Sequence, residues 1–248
     1  MMRVLLIRGM LVGLASVVPA YVCAWFLGEG PLGDAIAFED RQSHAAEGLH
    51  EHGVEVVSRL TQQTVGLAVA LAAIGLAVGG LFAIMFALAH QRIGRLSARA
   101  TSMVVAVAGF VVISLVAFLK YPPNPPAVGD PETIQQRSLL YFLTIVIGIF
   151  AAITAVQTGR RLTPRYGGWN ASLLGCGVFV VLVGIAYVVL PGGTVTETGF
   201  PPDVLWDFRI ASLATQAVIW VTLGLMFGAL TERDVTGARR ERVPKVHA

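Results

Sequence analysis

The sequence predicts an all-α integral membrane protein, a bundle of six transmembrane helices with the N-terminus and C-terminus both cytoplasmic. Three observations carry this reading. The chain is 55% hydrophobic and only 13% charged, against about 25% charged in a soluble domain. Six windows (9–28, 60–89, 100–119, 138–159, 166–196 and 210–231) contain no Asp, Glu, Lys, Arg or His. Each reaches the ~20 residues that a helix needs to cross the hydrocarbon core. The charges between them alternate in sign along the chain.

The probable helix cores are 8–27, 64–88, 101–119, 139–158, 171–190 and 210–230, in one transmembrane domain over 1–248. The runs are continuously apolar and do not alternate, so they read as helices and not as barrel strands. Arg3 and Arg8 begin the first helix. Val18-Pro19-Ala20 resembles a signal-peptide cleavage site, but the apolar run continues to Leu27, longer than a usual signal core, so the segment is expected to stay as a span. Arg92, Arg95 and Arg99 follow the second helix, and Arg160, Arg161 and Arg165 the fourth. With the basic tail these groups hold 13 of the 18 basic residues, which places them inside. The outward loops are then 28–63, 120–138 and 191–209. They hold 12 of the 15 acids, a surface that attracts cations.

Three Gly-x-x-x-Gly pairs, Gly9/Gly13, Gly75/Gly79 and Gly224/Gly228, are expected to let helices approach closely within the bundle, or else to form a subunit contact. Trp25, Tyr121, Tyr141, Trp169, Tyr187 and Trp206 fall near predicted interfaces. Cys23 and Cys176 read as small packing residues toward opposite faces, not as a disulfide.

Several chemistries have no motif. Without a GxxxxGK[ST] loop the chain has no P-loop, so neither nucleotide nor nucleic acid is expected as a partner, and transport would draw on an ion gradient, the membrane potential or another protein. No HExxH or GxSxG occurs, and no Cys pair at zinc spacing, so no enzyme is expected. The helix centres hold no charge. An ion site must therefore lie near a face, use neutral ligands or be completed by another chain.

The first outer loop, EDRQSHAAEGLHEHGVEVVSR (39–59), holds His44, Glu47, His50, Glu51, His52 and Glu55. Imidazole with carboxylate suits first-row divalent metals; a solvated polar helix explains the same residues. In the second, Pro122, Pro123, Pro125 and Pro126 end the third helix and stiffen the path onward. Asp130 is expected to cap the fourth helix, with Pro131 in its first turn and Glu132 near the positive end of the dipole. The loop is either a rigid connection or a gate that sets Lys120, Asn124, Asp130, Glu132 and Arg137 at an outer mouth. The third ends FPPDVLWDFR (200–209). Asp203, Asp207 and Arg209 open the last helix, as an interfacial charge network in which Lys120 or Arg137 partners the acid, or as part of the mouth. Gln63, Thr64, Thr215 and Gln216 are the polar residues set further in.

The stretch KYPPNPPAVGDPETIQQR (120–137) resembles a signature segment of the CbtA family, predicted cobalt transporter subunits of bacterial membranes. LLIRGMLVGL (5–14), DAIAFED (34–40), VSRLTQQTVGL (57–67), FPPDVLWDFRIASLATQAVIW (200–220) and FGALTER (227–233) are similar to other segments of that family, so the resemblance spans nearly the whole chain. It implies a multi-pass protein of the bacterial inner membrane, Co²⁺ as transported ion with no resident cofactor, and a link to cobalamin synthesis. It also implies a small single-span, histidine-containing partner, CbtB. Family members often have a histidine-rich first loop; here that loop has only His44, His50 and His52, and a CbtB-like chain would supply a missing ligand. The leading expectation is a cobalt uptake subunit whose outer face captures the ion. The alternative is a non-transporting membrane scaffold or assembly partner.

Overall fold

A computed structural model describes residues 2–46, 58–90, 92, 96–126, 128–129, 133–192 and 199–241, by the backbone alone at 43–46, 59 and 235–241. These residues are all helix and connection, with no strand among them. In chain order the helices are α1 (Met2–Ala15), α2 (Val17–Ala46), α3 (Arg59–Thr61), α4 (Leu67–Ala89), α5 (Ala98–Gly109), α6 (Val116–Lys120), α7 (Ile134–Val189) and α8 (Pro202–Glu241). Wide π-helical turns join α3 to α4 (Gln62–Gly66) and α5 to α6 (Phe110–Leu115). Five stretches are long and apolar enough to cross a membrane: Met2–Gln42, Gln62–Ala89, Ala98–Lys120, Ile134–Val189 and Pro202–Asp234.

Two boundaries differ from the sequence expectation. The first helix does not stop near residue 27. After a turn at Ser16 it runs to Ala46, through residues expected to lie in a loop. The apolar run marks where lipid would end. The helix outlasts it although Gly28, Gly30, Pro31 and Gly33 are poor helix formers, because packing of its inward face holds it: Ala35 is buried while Asp34, Glu39 and Asp40 are exposed. The second difference lies in the segments expected as helices four and five, which are one helical stretch of 56 residues, α7. A straight helix of that length would measure about 84 Å. It does not run straight: Gly167 has φ 75° and ψ 164°, outside the helical region, and the chain reverses there. A β-carbon on Gly175 would lie 2.8 Å from the Ala155 carbonyl oxygen, and one on Gly159 3.3 Å from that of Ala171. The two arms therefore lie back to back on small residues.

The chain forms two compact units. Unit one is Met1–Glu29, Glu47–Phe110 and Ala214–Ala248; unit two is Gly30–Ala46 and Val111–Leu213. In unit one α1 and α4 meet through both of their glycine pairs. Gly9 faces the Gly79 carbonyl and Gly13 that of Gly75, so close that a β-carbon on Gly13 would lie 3.0 Å from the Gly79 Cα. The third pair seats α8 on α5, where β-carbons on Gly224 and Gly228 would fall 2.8 and 2.9 Å from the Cβ atoms of Ala106 and Ser102. All three pairs are thus occupied inside the chain, the first of the two roles expected. Lipid is as apolar as leucine, so packing of this kind holds membrane helices together where burial from water cannot. An aromatic core completes the unit. Phe227 stands edge-on to Phe82 and Phe86, with ring centroids at 5.3 and 5.0 Å. Trp220 lies over Gly109, the last residue of α5. In unit two the Val112 carbonyl comes within 2.9 Å of where a β-carbon would stand on Gly148, which brings the first arm of α7 against the π-helical turn before α6.

Candidate functional site

In unit two, three separate segments converge on the proline loop that follows α6. The loop ends α6 at Tyr121, because Pro122 and Pro123 supply no backbone donors. It turns once, with the Val128 amide donating to the Pro125 carbonyl at 3.3 Å. Val128 is then buried with Ala35 of α2 and with Phe200, which precedes α8; Phe38, Val204 and Leu205 pack around them. Phe38 and Phe200 meet edge-to-face at 5.1 Å.

Hydrogen bonds lock the loop to the helix ends beside it. The Lys120 ammonium donates to the Tyr187 carbonyl at 2.8 Å, in the last turn of α7. In return the Tyr187 hydroxyl donates to the Val116 carbonyl of α6. The first bond closes a C-terminal carbonyl that α7 leaves without a partner of its own, while Val116, at the start of α6, accepts the second as an additional bond. The Tyr121 hydroxyl donates to the Pro191 carbonyl at 2.7 Å. Burial raises the pKa of this phenol, so it remains a donor throughout the neutral range. Arg209, in the second turn of α8, donates from Nη2 to Asn124 Oδ1 at 2.9 Å and from Nε to the Pro123 carbonyl at 3.4 Å. Gly129 has φ +99°, the left-handed region that favours glycine. The guanidinium of Arg137 lies over it, where any β-carbon would stand.

The predicted site residues divide accordingly. Lys120, Asn124, Arg137 and Arg209 are drawn together at the loop. Lys120 bonds a backbone carbonyl and Arg209 an amide and a carbonyl, so the acid partner expected of Lys120 is replaced by a neutral one. The main-chain carbonyls left over at the helix ends supply that acceptor. Asp203 and Asp207 are exposed on α8, Asp203 in the first turn, where a carboxylate complements the helix dipole. The helix after the loop starts at Ile134 with Thr133 in the cap position, so the capping position expected at Asp130 lies three residues early. Asp130, Pro131 and Glu132 themselves lie outside the described residues, as do Glu47, His50, Glu51, His52 and Glu55. His44 lies on α2, by its backbone alone. Among the described residues no three His, Cys, Asp or Glu side chains come together as a metal-ligand group.

The inner polar residues take smaller roles in unit one. Gln63 is half-buried, and its carbonyl accepts from the Tyr21 hydroxyl at 3.4 Å; the wide turn leaves that carbonyl open to a second donor. Buried Thr215 donates to the thiol sulfur of Cys23 at 3.9 Å, and Gln216 is half-buried beside it in sequence. Cys23 and Cys176 are both free.

A second polar cluster, one that no sequence motif announced, also lies in unit one. Arg8 of α1 donates to Thr231 Oγ1 at 3.2 Å and forms an ion pair with Asp234, both on α8. Glu232 Oε2 accepts the backbone amides of Ala98 at 2.8 Å and Arg99 at 3.3 Å. Together with Ser97, whose hydroxyl accepts from the Ala100 amide at 3.1 Å, it caps α5. Phe227, Gly228, Thr231 and Glu232 all belong to FGALTER. That segment is a structural clasp, and its polar residues, Thr231, Glu232 and Arg233, are consecutive and carry no spacing that marks them in the sequence.

The family model for CbtA, described as probable cobalt transporter subunit, matches residues 2–232 of the chain. No curated protein and no solved structure matches it.

Proposed function

This chain belongs to the CbtA family of probable cobalt transporter subunits, and on that premise we propose that it captures Co²⁺ at the outer face of a bacterial cell membrane and delivers it toward cobalamin synthesis. It is a multi-pass membrane protein. In the proposed topology the two arms of α7 cross separately, giving six crossings, and both termini lie in the cytoplasm with most of the arginines. The proline loop and the outer end of α2 then face outward.

The observation that carries the capture reading is the small apolar cluster of Ala35, Phe38, Val128 and Phe200. It fixes the outer stretch of α2 against the proline loop. His44 follows Phe38 by six residues, about 9 Å of helix. The segment with Glu47, His50, Glu51 and His52 thus departs from a fixed base. Imidazole and carboxylate groups there bind a first-row divalent ion weakly enough to release it. The acids at 130, 132, 203 and 207 draw the cation toward the mouth. Lys120 and Arg209, each held by neutral acceptors, shape the loop and take no part as ligands. Cobalt itself is cargo, not a resident cofactor. The uncharged spans leave the remaining ligands to a second chain, and a CbtB-like, single-span partner with histidines has the right chemistry.

The test is accumulation of radiolabelled cobalt at limiting concentration, in a deletion strain carrying the wild-type gene or the variant H44A/H50A/H52A. Wild type restores uptake and the variant lowers it several-fold, with the protein present in the membrane at equal amounts. Equal uptake by the variant would reject the capture segment. Unchanged uptake in the deletion strain, under conditions where the gene is expressed, would reject transport altogether.

A further inference from the structure

The clasp between α1 and α8 borders a groove that the transport reading does not use. Val4, Leu11 and Ala15 of α1 and Met226 and Leu230 of α8 line it, and of the described residues in its walls Arg8 alone is polar. Its volume is about 350 Å³, within the range of small-molecule sites. From Val4 to Ala15 is about 16 Å of helix. The groove therefore averages about 20 Å² in section, against roughly 80 Å² for a helix about 10 Å across. That width seats one extended hydrocarbon chain and not a helix. Leu11 is 61% exposed and Met226 40%, so the walls are open to the bilayer.

The ion pair of Arg8 and Asp234 gives this groove a rim with both signs of charge. A guanidinium carries five N–H donors. Arg8 gives one to Thr231 and one to Asp234, and its other three take no partner among the described residues. Asp234 pairs through one carboxylate oxygen, and its side chain is 62% exposed. The pair is neutral as a whole, yet it still offers donors on one side and an acceptor on the other. Arg3 and Arg8 on α1, with Glu232, Arg233 and Asp234 on α8, end the apolar stretches here, which sets the rim at headgroup depth. A matching amphiphile carries an acyl chain, a phosphate for Arg8 and an N–H cation for Asp234. From this juxtaposition we infer that the α1–α8 groove binds one zwitterionic phospholipid with a primary ammonium headgroup, of the phosphatidylethanolamine class. One acyl chain lies along Leu11, Ala15 and Met226, the phosphate meets Arg8 and the ammonium meets Asp234. A choline head has the charge without an N–H, and a glycerol head has no cation.

The test uses the purified full-length chain in mild detergent, without cobalt, and phosphatidylethanolamine bearing a photoreactive diazirine on one acyl chain. Cross-linked peptides are mapped by mass spectrometry. In wild type, labelling is saturable and falls on α1 and on α8 around Met226 and Leu230. Unlabelled phosphatidylethanolamine competes about tenfold better than phosphatidylcholine or phosphatidylglycerol, the worth of one charge-assisted hydrogen bond. Ala15→Leu fills the groove and lowers labelling of both helices several-fold. Leu14→Phe, on an exposed residue outside the groove, keeps the wild-type labelling. Asp234→Asn removes the preference for phosphatidylethanolamine. Should that variant fail to accumulate, Ala15→Leu carries the test alone. Labelling that survives Ala15→Leu, or that spreads evenly over all the spans, overturns the site. Equal competition by the three lipids in wild type overturns it as well. A wild-type dimer that Ala15→Leu converts to monomer in size-exclusion chromatography would give the groove to a second copy of the chain instead.

Discussion

Two glycines of α4, five residues apart, make opposite predictions for the same substitution. A β-carbon on Gly75 would lie 2.5 Å from the Gly13 carbonyl oxygen and 3.1 Å from its carbon. Ordinary contact begins at 3.4 Å, so the oxygen is about 0.9 Å too near. The obstacle is backbone, and relief requires α1 and α4 to part. A gap of 0.5–1 Å forfeits about a quarter to a half of each atom-pair attraction along the seam, and overpacking of this kind costs about 1–3 kcal/mol. At Gly80 the nearest atom is Met10 Cγ at 3.8 Å, a flexible side chain already at van der Waals distance. There alanine gains up to ~1 kcal/mol of helix propensity. Gly75→Ala therefore lowers the melting temperature and Gly80→Ala leaves or raises it. A difference of about 3 kcal/mol corresponds to roughly 6–12 °C in a chain of this size. Thermal melts followed by size-exclusion chromatography in a single detergent measure it. Equal melting temperatures, or the reverse order, would refute the reading of the α1–α4 seam as rigid and in backbone contact.

Three further outcomes follow from the hydrogen bonds and the small core. Glu232→Ala removes the acceptor from the first amides of α5 and lowers stability by about 1 kcal/mol, while Glu232→Gln, which keeps an acceptor, recovers part of it; identical melts for the two variants would count against the cap. Tyr121→Phe removes one hydroxyl and costs about 1 kcal/mol, seen as faster amide exchange across the proline loop, and an unchanged exchange pattern would show the bond to Pro191 to be idle. Phe200→Ala empties a site that is only 9% exposed. A large-to-small change of this kind costs about 3–5 kcal/mol in a tight core, and the smaller cluster here directs the loss to α2: exchange rises over residues 35–46 and not in α4. A uniform rise in both would show that the cluster does not act locally.

Hydropathy located the apolar helical stretches, five of which are long enough to cross a membrane, because a long uncharged run has few other uses, and the glycine spacing located the seams. It could not place the end of α2. Ala35 and Phe38 are ordinary residues of a polar stretch until Val128 and Phe200 arrive from far along the chain. Nor could it place the partners of Lys120 and Arg209. Charge counting pairs cations with carboxylates, whereas these two bond the Tyr187 and Pro123 carbonyls and the Asn124 amide, and main-chain acceptors leave no mark in a sequence. Glu232 stands among the charges of a basic tail, where nothing in the sequence marks it as a cap. The proposed capture segment is legible only as chemistry, since three imidazoles among acids name a class of ion.

The clasp of Arg8 has a bearing on how the molecule is made. Arg8 emerges from the ribosome with the first helix, yet its acceptor Thr231 lies 223 residues further on. At ~5–20 residues per second the guanidinium waits on the order of tens of seconds for its partner. Through that interval α1 can settle on α4 by its glycines, but its charged end stays open. A chain interrupted before Thr231 would never close it. The first helix thus keeps a record of whether synthesis reached the last, in a form that membrane quality control could read.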